Sequence, residues 1–279
     1  DRIATLKDEM ARLKGLKRRM EAAPDGQVSL TDPDARSMAS QGKGTGIVGY
    51  NVQTAVETKH HLIVTHEVTN VGSDRAQLVK MAEAAREALG TTELTAIADR
   101  GYYSSEQIKG CEDAGIAPVV PKPITSNSSA GGRYEKWDFT YLPKRDAYRC
   151  PAGEYAIHRF ASEMNGLMIH KYWSSACPRC ALQSKCTTSK YRRLTRWEHE
   201  AVLERMQARL ERDPTLMNIR RRTVEHTFGT IKAWMGATHF LCRRLPRVSA
   251  EMSLHVLAYN MKRVMKIMGT GEMIEALRA

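Results

Sequence analysis

Leu94-Thr95-Ala96-Ile97-Ala98 is a short, mostly apolar run that stops on a carboxylate, Asp99. It is too short for a helix and has the pattern of a buried central strand in a layered α/β sheet. Its neighbours in sequence agree. Val48, Tyr50, Val52, Thr54 and Val56 alternate with other residues. After Lys59-His60-His61 a second run, Leu62 to Val68, follows, and the pair reads as a β-hairpin. Asp74 to Leu89 carries Leu78, Met81, Ala82, Ala85 and Leu89 at helical spacing. Ser104 opens another helix to Ala114, with Glu106 and Gln107 in its first turn, and Pro118 to Pro121 supplies one more short strand. Two hairpin strands followed by alternating helix and strand predict a mixed α/β sheet with flanking helices.

Outside that region the character changes. Residues 1–30 form an N-terminal helical segment. Ile3, Leu6, Met10, Leu13, Leu16 or Lys17, and Met20 repeat at three and four until Pro24-Asp25-Gly26 stops them, which predicts a helix that packs on another helix. Residues 31–121 hold the strands and helices just described. Residues 122–195 open with a Gly/Ser-rich stretch at Ser126 to Gly132 and continue with tyrosines, tryptophans and four cysteines, the composition of a small insertion with short strands. Residues 196–279 are helical, broken at Pro214 and Leu245-Pro246. Met252, Leu254, Val256, Leu257, Met261, Val264 and Met265 read as core positions of the last helix. Trp137, Trp173, Trp197 and Trp234 are expected to be buried.

The formal net charge of +12 makes a polyanion the favoured partner. The charge is concentrated: residues 189–250 hold fourteen Lys/Arg against six Asp/Glu. That density suits either a solvated helix face or a phosphate backbone, and the second would make affinity fall steeply with salt. No apolar run approaches the ~18 residues of a membrane span.

Two carboxylates stand out. Asp99 lies at the carboxyl end of a strand, where side chains converge on an open crevice, although a carboxylate there also serves as a turn cap. Glu225 lies in Asn218-Ile219-Arg220-Arg221-Arg222-Thr223-Val224-Glu225. On a regular helix Arg221 and Lys232 share its face. That arrangement is either a surface ladder of ion pairs or a carboxylate aimed at a metal, with cations beside it to hold phosphates. A strand Asp facing a helix Glu suits Mg²⁺, a hard cation bound through one or two carboxylates and substrate oxygens.

The block Asp99-Arg-Gly-Tyr-Tyr-Ser104 and the block Val224-Glu-His-Thr-Phe-Gly-Thr-Ile-Lys-Ala-Trp-Met-Gly236 resemble those of bacterial insertion-sequence transposases of the DDE class. Thr31-Asp-Pro-Asp-Ala-Arg36, Gly49-Tyr-Asn-Val-Gln-Thr-Ala-Val56, Glu67-Val-Thr-Asn70 and Ala258-Tyr-Asn-Met-Lys-Arg263 are similar to one branch of that class. So is a cysteine insertion placed before the Glu. The similarity covers nearly the whole chain. It implies an RNase H-like core split by the insertion, and metal-dependent DNA cleavage and strand transfer with Mg²⁺ or Mn²⁺. It implies transposon ends and target DNA as partners, a homo-oligomer as one arrangement, and a cytoplasmic, nucleoid-associated bacterial setting. Asp99 takes the second acidic position and Glu225 the third, both as metal ligands. Arg221 and Lys232 match an Arg-x3-Glu-x6-Lys signature, with Arg220 and Arg222 as further DNA contacts. Asn218 stands where that signature has Tyr.

The first acidic residue of that branch lies on a strand upstream of a helix resembling residues 1–23. The chain is therefore expected to be a fragment that lacks this residue and is inactive alone. Asp32 and Asp34, inside the Thr31–Arg36 block, are weak substitutes. The rival reading is a catalytically inactive DNA-binding remnant, and a third is a metal-dependent nuclease without strand transfer.

Cys150, Cys177, Cys180 and Cys186 give C-x26-C-x2-C-x5-C, one close pair with two outlying thiols. The spacing leaves three states open: a structural Zn²⁺ site, reduced packed thiols, or disulfides. His158 and His170 are alternative ligands. Cys111 and Cys242 read as ordinary buried thiols.

Overall fold

The computed structural model describes residues 2–38, 46–123 and 132–278. The chain divides into two units, Asp1–Pro121 with Met206–Ala279, and Lys122–Arg205. The second unit ends ten residues beyond the insertion boundary read from sequence. The Gly/Ser-rich stretch, Gly132 excepted, lies outside the described residues.

In the first unit α1 (Arg2–Ala22) forms where the heptad-like spacing placed it, but none of its residues is buried. The run expected as a single strand from 48 to 56 breaks at Tyr50. Its first part, β2 (Ile47–Gly49), pairs antiparallel with β1 (Arg36–Met38), and its second, β3 (Asn51–Val56), pairs antiparallel with β4 (Ile63–Thr69). Tyr50 stands at the break, where the pairing partner changes, and its hydroxyl donates to Asp32 (2.7 Å).

Residue spacing sets the next elements. Leu78, Met81, Ala82 and Ala85 form the buried side of α2 (Leu78–Leu89), which Gly90 ends with φ +60, a left-handed cap that favours glycine. β5 (Leu94–Ile97) runs parallel to β6 (Ile116–Val119), joined through α3 (Ser105–Asp113). β5 is half-buried rather than enclosed. Only one of its edges is paired among the described residues; the other faces a cleft of about 330 Å³ shared with β3.

The main core forms where α7 (Leu245–Met268) lies on β4, with Ile63, Val68, Ile231, Val248, Met252, Val256 and Tyr259 buried together. Leu254, Leu257 and Met261 are exposed, so the apolar stripe of α7 is narrower than the sequence suggested. The N-terminus of α7 is held from outside. Asp32 accepts from the Arg244 amide (3.2 Å) and Asp34 from the Leu245 amide (2.9 Å), satisfying donors that a helix start leaves open.

The second unit carries a five-stranded antiparallel sheet in the order β11-β10-β9-β8-β7. Its strands are β7 (Thr140–Leu142), β8 (Ala147–Arg149), β9 (Tyr155–Met164), β10 (Leu167–Trp173) and β11 (Leu194–Trp197). Phe139, Tyr148, Ala156, Tyr172 and Leu194 make its core. The Arg196 guanidinium lies 3.8 Å from the Tyr141 ring centroid, an aromatic stack that lets a charge sit among apolar groups. Trp197 is buried, whereas Trp137 and Trp234 are 76% and 84% exposed, against expectation.

Candidate functional site

The end of β5 leads into a 3₁₀ turn, Arg100–Tyr102, and Asp99 is its N-cap. One oxygen, Oδ1, accepts from the Gly101 amide (2.8 Å). The other, Oδ2, accepts from Arg220 Nη2 (2.8 Å). Asp99 thus caps a turn with one oxygen, as one sequence reading expected, and its second oxygen pairs with an arginine.

Arg220 closes α5 (Leu216–Arg220), after which the helix widens into a π turn, Arg221–Glu225. A short α6 (His226–Gly229) and a second π turn, Thr230–Trp234, follow. A π turn pairs residues five apart instead of four. Glu225 accordingly meets Arg220, whose Nη1 donates to Oε1 at 3.0 Å, and not Arg221 as regular helical geometry had suggested. Asp99 and Glu225, 126 positions apart in sequence, thus share one guanidinium. Thr223 and Thr227 are buried and anchor the widened helix. Thr227 Oγ1 donates to the Thr223 carbonyl (2.9 Å) and lies 3.1 Å from the Tyr259 hydroxyl.

A third carboxylate stands beside the pair. Asp74 Oδ1 accepts from Asn51 Nδ2 and Gln53 Nε2, each at 2.7 Å. Gln53, almost fully buried, accepts from the Tyr102 hydroxyl. A Cβ on Gly101 would stand 3.0 Å from Asp99 Oδ1 and 3.5 Å from Asp74 Oδ2, so the two carboxylates bracket a space that glycine leaves open. Burial pushes the Tyr102 phenol well above its usual range, and the charges of Asp74 and Asp99 push the same way. It stays a protonated donor. Asn51 and Gln53 occupy alternate positions of one strand and so share a face, a signal that sequence could have yielded; Asp74 had been read only as a helix start.

Arg221, Arg222 and Lys232 are exposed and make no ion pair among the described residues. Lys232 Nζ lies 5.8 Å from the Phe228 ring centroid. Asp32 and Asp34 are engaged at the start of α7 instead. Among the described residues no three His, Cys, Asp or Glu side chains are drawn together as a ready metal site.

A model of the transposase DDE domain matches residues 22–261. The chain belongs to that family. No curated protein and no solved structure matches it. Membership makes the mixed α/β architecture an RNase H-like DDE transposase fold, with transposition-related nuclease activity as the general class and DNA as the substrate. No described helix is long and apolar enough to cross a membrane.

The four clustered cysteines line a single cavity in the second unit. Burial raises the Cys186 thiol pKa most, with Cys177, Cys150 and Cys180 adding to the rise and Arg192 opposing it. His158 and His170 hydrogen-bond to each other (3.1 Å) and are not on that cavity's wall. Cys111 is buried as expected, whereas Cys242 is exposed.

Proposed function

We propose that this DDE domain cleaves and joins DNA strands during transposition of an insertion sequence, with Asp99 and Glu225 as ligands of Mg²⁺ or Mn²⁺. The observation that carries the reading is the convergence of the two carboxylates on one cation, the Arg220 guanidinium. Two oxygen-only ligands already hold a positive charge between them, which is the donor chemistry a hard divalent ion requires. Asp74, presenting Oδ2 beside Gly101, adds a third acidic group within reach. When bound, such ions activate a water or 3′-hydroxyl and stabilise the leaving oxygen at phosphorus.

The remaining chemistry belongs to the chain. Arg220 neutralises the acidic pair; a metal held by Asp99 and Glu225 would replace this cation, and the guanidinium would then be free to pair with a phosphate. Arg221, Arg222 and Lys232 hold the backbone on either side through charge. The exposed Trp234, two residues beyond Lys232, offers a face on which an unstacked base can rest.

The cleft between β3 and β5 runs up to Asp99 and Arg220. Residues 53–58 and 94–99 form its two long sides, and α2 contributes Leu78, Met81, Ala82 and Ala85. Each side is an unpaired strand edge among the described residues, a ready template for a strand between them.

The test is cleavage and joining of labelled oligonucleotides by the protein with Mg²⁺ or Mn²⁺. Cleavage that is lost in Glu225→Gln and Asp99→Asn supports the reading. Cleavage that survives Glu225→Gln removes Glu225 from the mechanism. Salt-sensitive DNA binding with no cleavage favours the inactive remnant. Hydrolysed ends without joined products favour a nuclease.

A further inference from the structure

The chemistry above leaves four cysteines of the second unit unused. They come from three tight turns. In Cys150-Pro-Ala-Gly153 the Gly153 amide donates to the Cys150 carbonyl (2.9 Å), and Gly153 has a φ of +82 that favours glycine. In Cys177-Pro-Arg-Cys180 the Cys180 amide returns to the Cys177 carbonyl (3.1 Å). In Gln183-Ser-Lys-Cys186 the Cys186 amide returns to the Gln183 carbonyl (2.9 Å). All four thiols line one cavity of about 40 Å³. We propose that this cavity is a structural zinc site in which Cys150, Cys177, Cys180 and Cys186 bind one Zn²⁺ as thiolates.

Ligand chemistry selects the ion. Glu154, Ser174, Gln183 and Thr187 also line the cavity, but its wall exposes almost no polar surface, so the four sulfurs are the donors that favour a thiophilic ion. A single water needs roughly 10–15 Å³ of the same kind of volume, so the space has room for one ion with sulfurs closing around it. One sulfur already accepts an amide: Leu182 N–H points at Cys180 Sγ at 3.4 Å, a contact that strengthens when sulfur carries negative charge.

Arg192 supplies an independent observation. It lines the same cavity, and its buried Nε has no hydrogen-bond partner among the described residues, although its Nη1 donates to the Cys186 carbonyl (3.4 Å). A buried donor without an acceptor is costly and calls for a missing partner. Four thiolates around Zn²⁺ carry a net charge of about −2 by ligand count. A thiolate would satisfy the Arg192 donor, and the guanidinium would offset that charge. The sulfurs stand on the wall rather than in a closed cage, so loading draws them to about 2.3 Å from the ion. Each lies on a short turn, where side-chain rotation and small backbone shifts achieve this. The closed site would tie the β8–β9 turn to residues 174–187, a segment without strands of its own.

The test is metal analysis and native mass spectrometry of the full chain after zinc-replete expression. One zinc per chain is expected, with Cys180→Ser reducing it severalfold and Cys242→Ser leaving it unchanged. Replacing zinc by Co²⁺ should give the intense visible bands and sulfur charge-transfer absorption of tetrahedral thiolate coordination. A wild-type chain that is metal-free with reduced thiols, that carries disulfides among these four, or that holds iron with sulfide overturns the proposal. The wild-type measurement needs no variant to fold and no DNA cleavage, so it is independent of the transposase chemistry.

Discussion

Arg220 touches Asp99 with one arm of its guanidinium and Glu225 with the other, and three charges in this arrangement are easily disturbed. The side chains are 21%, 42% and 57% exposed respectively, so solvent screens the pairs and each contributes at most about 1 kcal/mol. Arg220→Gln should therefore tighten Mn²⁺ binding by about fivefold, the equivalent of about 1 kcal/mol, because the metal no longer displaces a resident cation. Isothermal titration calorimetry measures this, and unchanged or weaker binding would show that Arg220 does not compete for the site. Asp74 is tested alongside. If it only orients Gln53 and Tyr102, Asp74→Asn leaves Mn²⁺ affinity unchanged; the reading here expects a loss of about 10-fold or more, the scale on which ligand-supporting groups act.

At the scale of elements, the start of α7 depends on two acids far away in sequence. Burial alone would raise the Asp32 carboxyl, but hydrogen bonds from the Tyr50 hydroxyl and the Arg244 and Asp34 amides outweigh it, and the net shift is downward. A carboxyl depressed in the folded state contributes stability above its unfolded value, ~3.9, and that contribution disappears as pH falls through the lower folded value. Asp32→Ala should cost about 1–2 kcal/mol at pH 7, in the range of a lost helix cap. The difference from wild type should shrink toward pH 3, as read by thermal unfolding; a difference that grows on acidification would contradict the sign. Thr227→Val should likewise lower stability by about 0.5–1.5 kcal/mol, because it removes the buried hydrogen bond to the Thr223 carbonyl, while the Tyr259 hydroxyl keeps the His61 carbonyl as its acceptor.

Much of this level was legible in sequence. The spacing of Leu78, Met81, Ala82 and Ala85 located α2, the alternation through Val56 and the run from Leu62 to Val68 located β3 and β4, and the position of Asp99 at the end of a strand marked it as a turn cap. What escaped has physical causes. The π turn shifts register by one residue, so periodicity of 3.6 named Arg221 where Arg220 makes the contact. The run around Tyr50 alternates continuously, yet its two halves pair with different strands, β1 and β4, and alternation does not record the partner. The cluster of Asp74, Asn51, Gln53 and Tyr102 joins three elements distant in sequence, β3 and the turns at 74–76 and 100–102, and local pattern carries no record of such a meeting.

Across the whole molecule the net charge of +12 sets how the chain meets DNA. Each phosphate contact adds about 0.9 to the slope of log affinity against log salt. Arg221→Ala and Lys232→Ala should each flatten that slope by about one, with little dependence on DNA sequence, as measured by fluorescence anisotropy. Trp234→Ala should weaken binding to single-stranded DNA by about 1–3 kcal/mol while leaving the slope unchanged. A flattened slope for Trp234→Ala, or a full slope for Lys232→Ala, would reverse these assignments.

The most direct measurement is a Mn²⁺ titration followed by electron paramagnetic resonance on the wild-type chain, Asp99→Asn, Glu225→Gln and the double variant. If the two carboxylates share an ion, each single variant weakens binding by about 10-fold or more, and the double variant loses less than the two losses multiplied. Wild-type affinity in either single variant, or losses that multiply independently, would place Asp99 and Glu225 in separate environments.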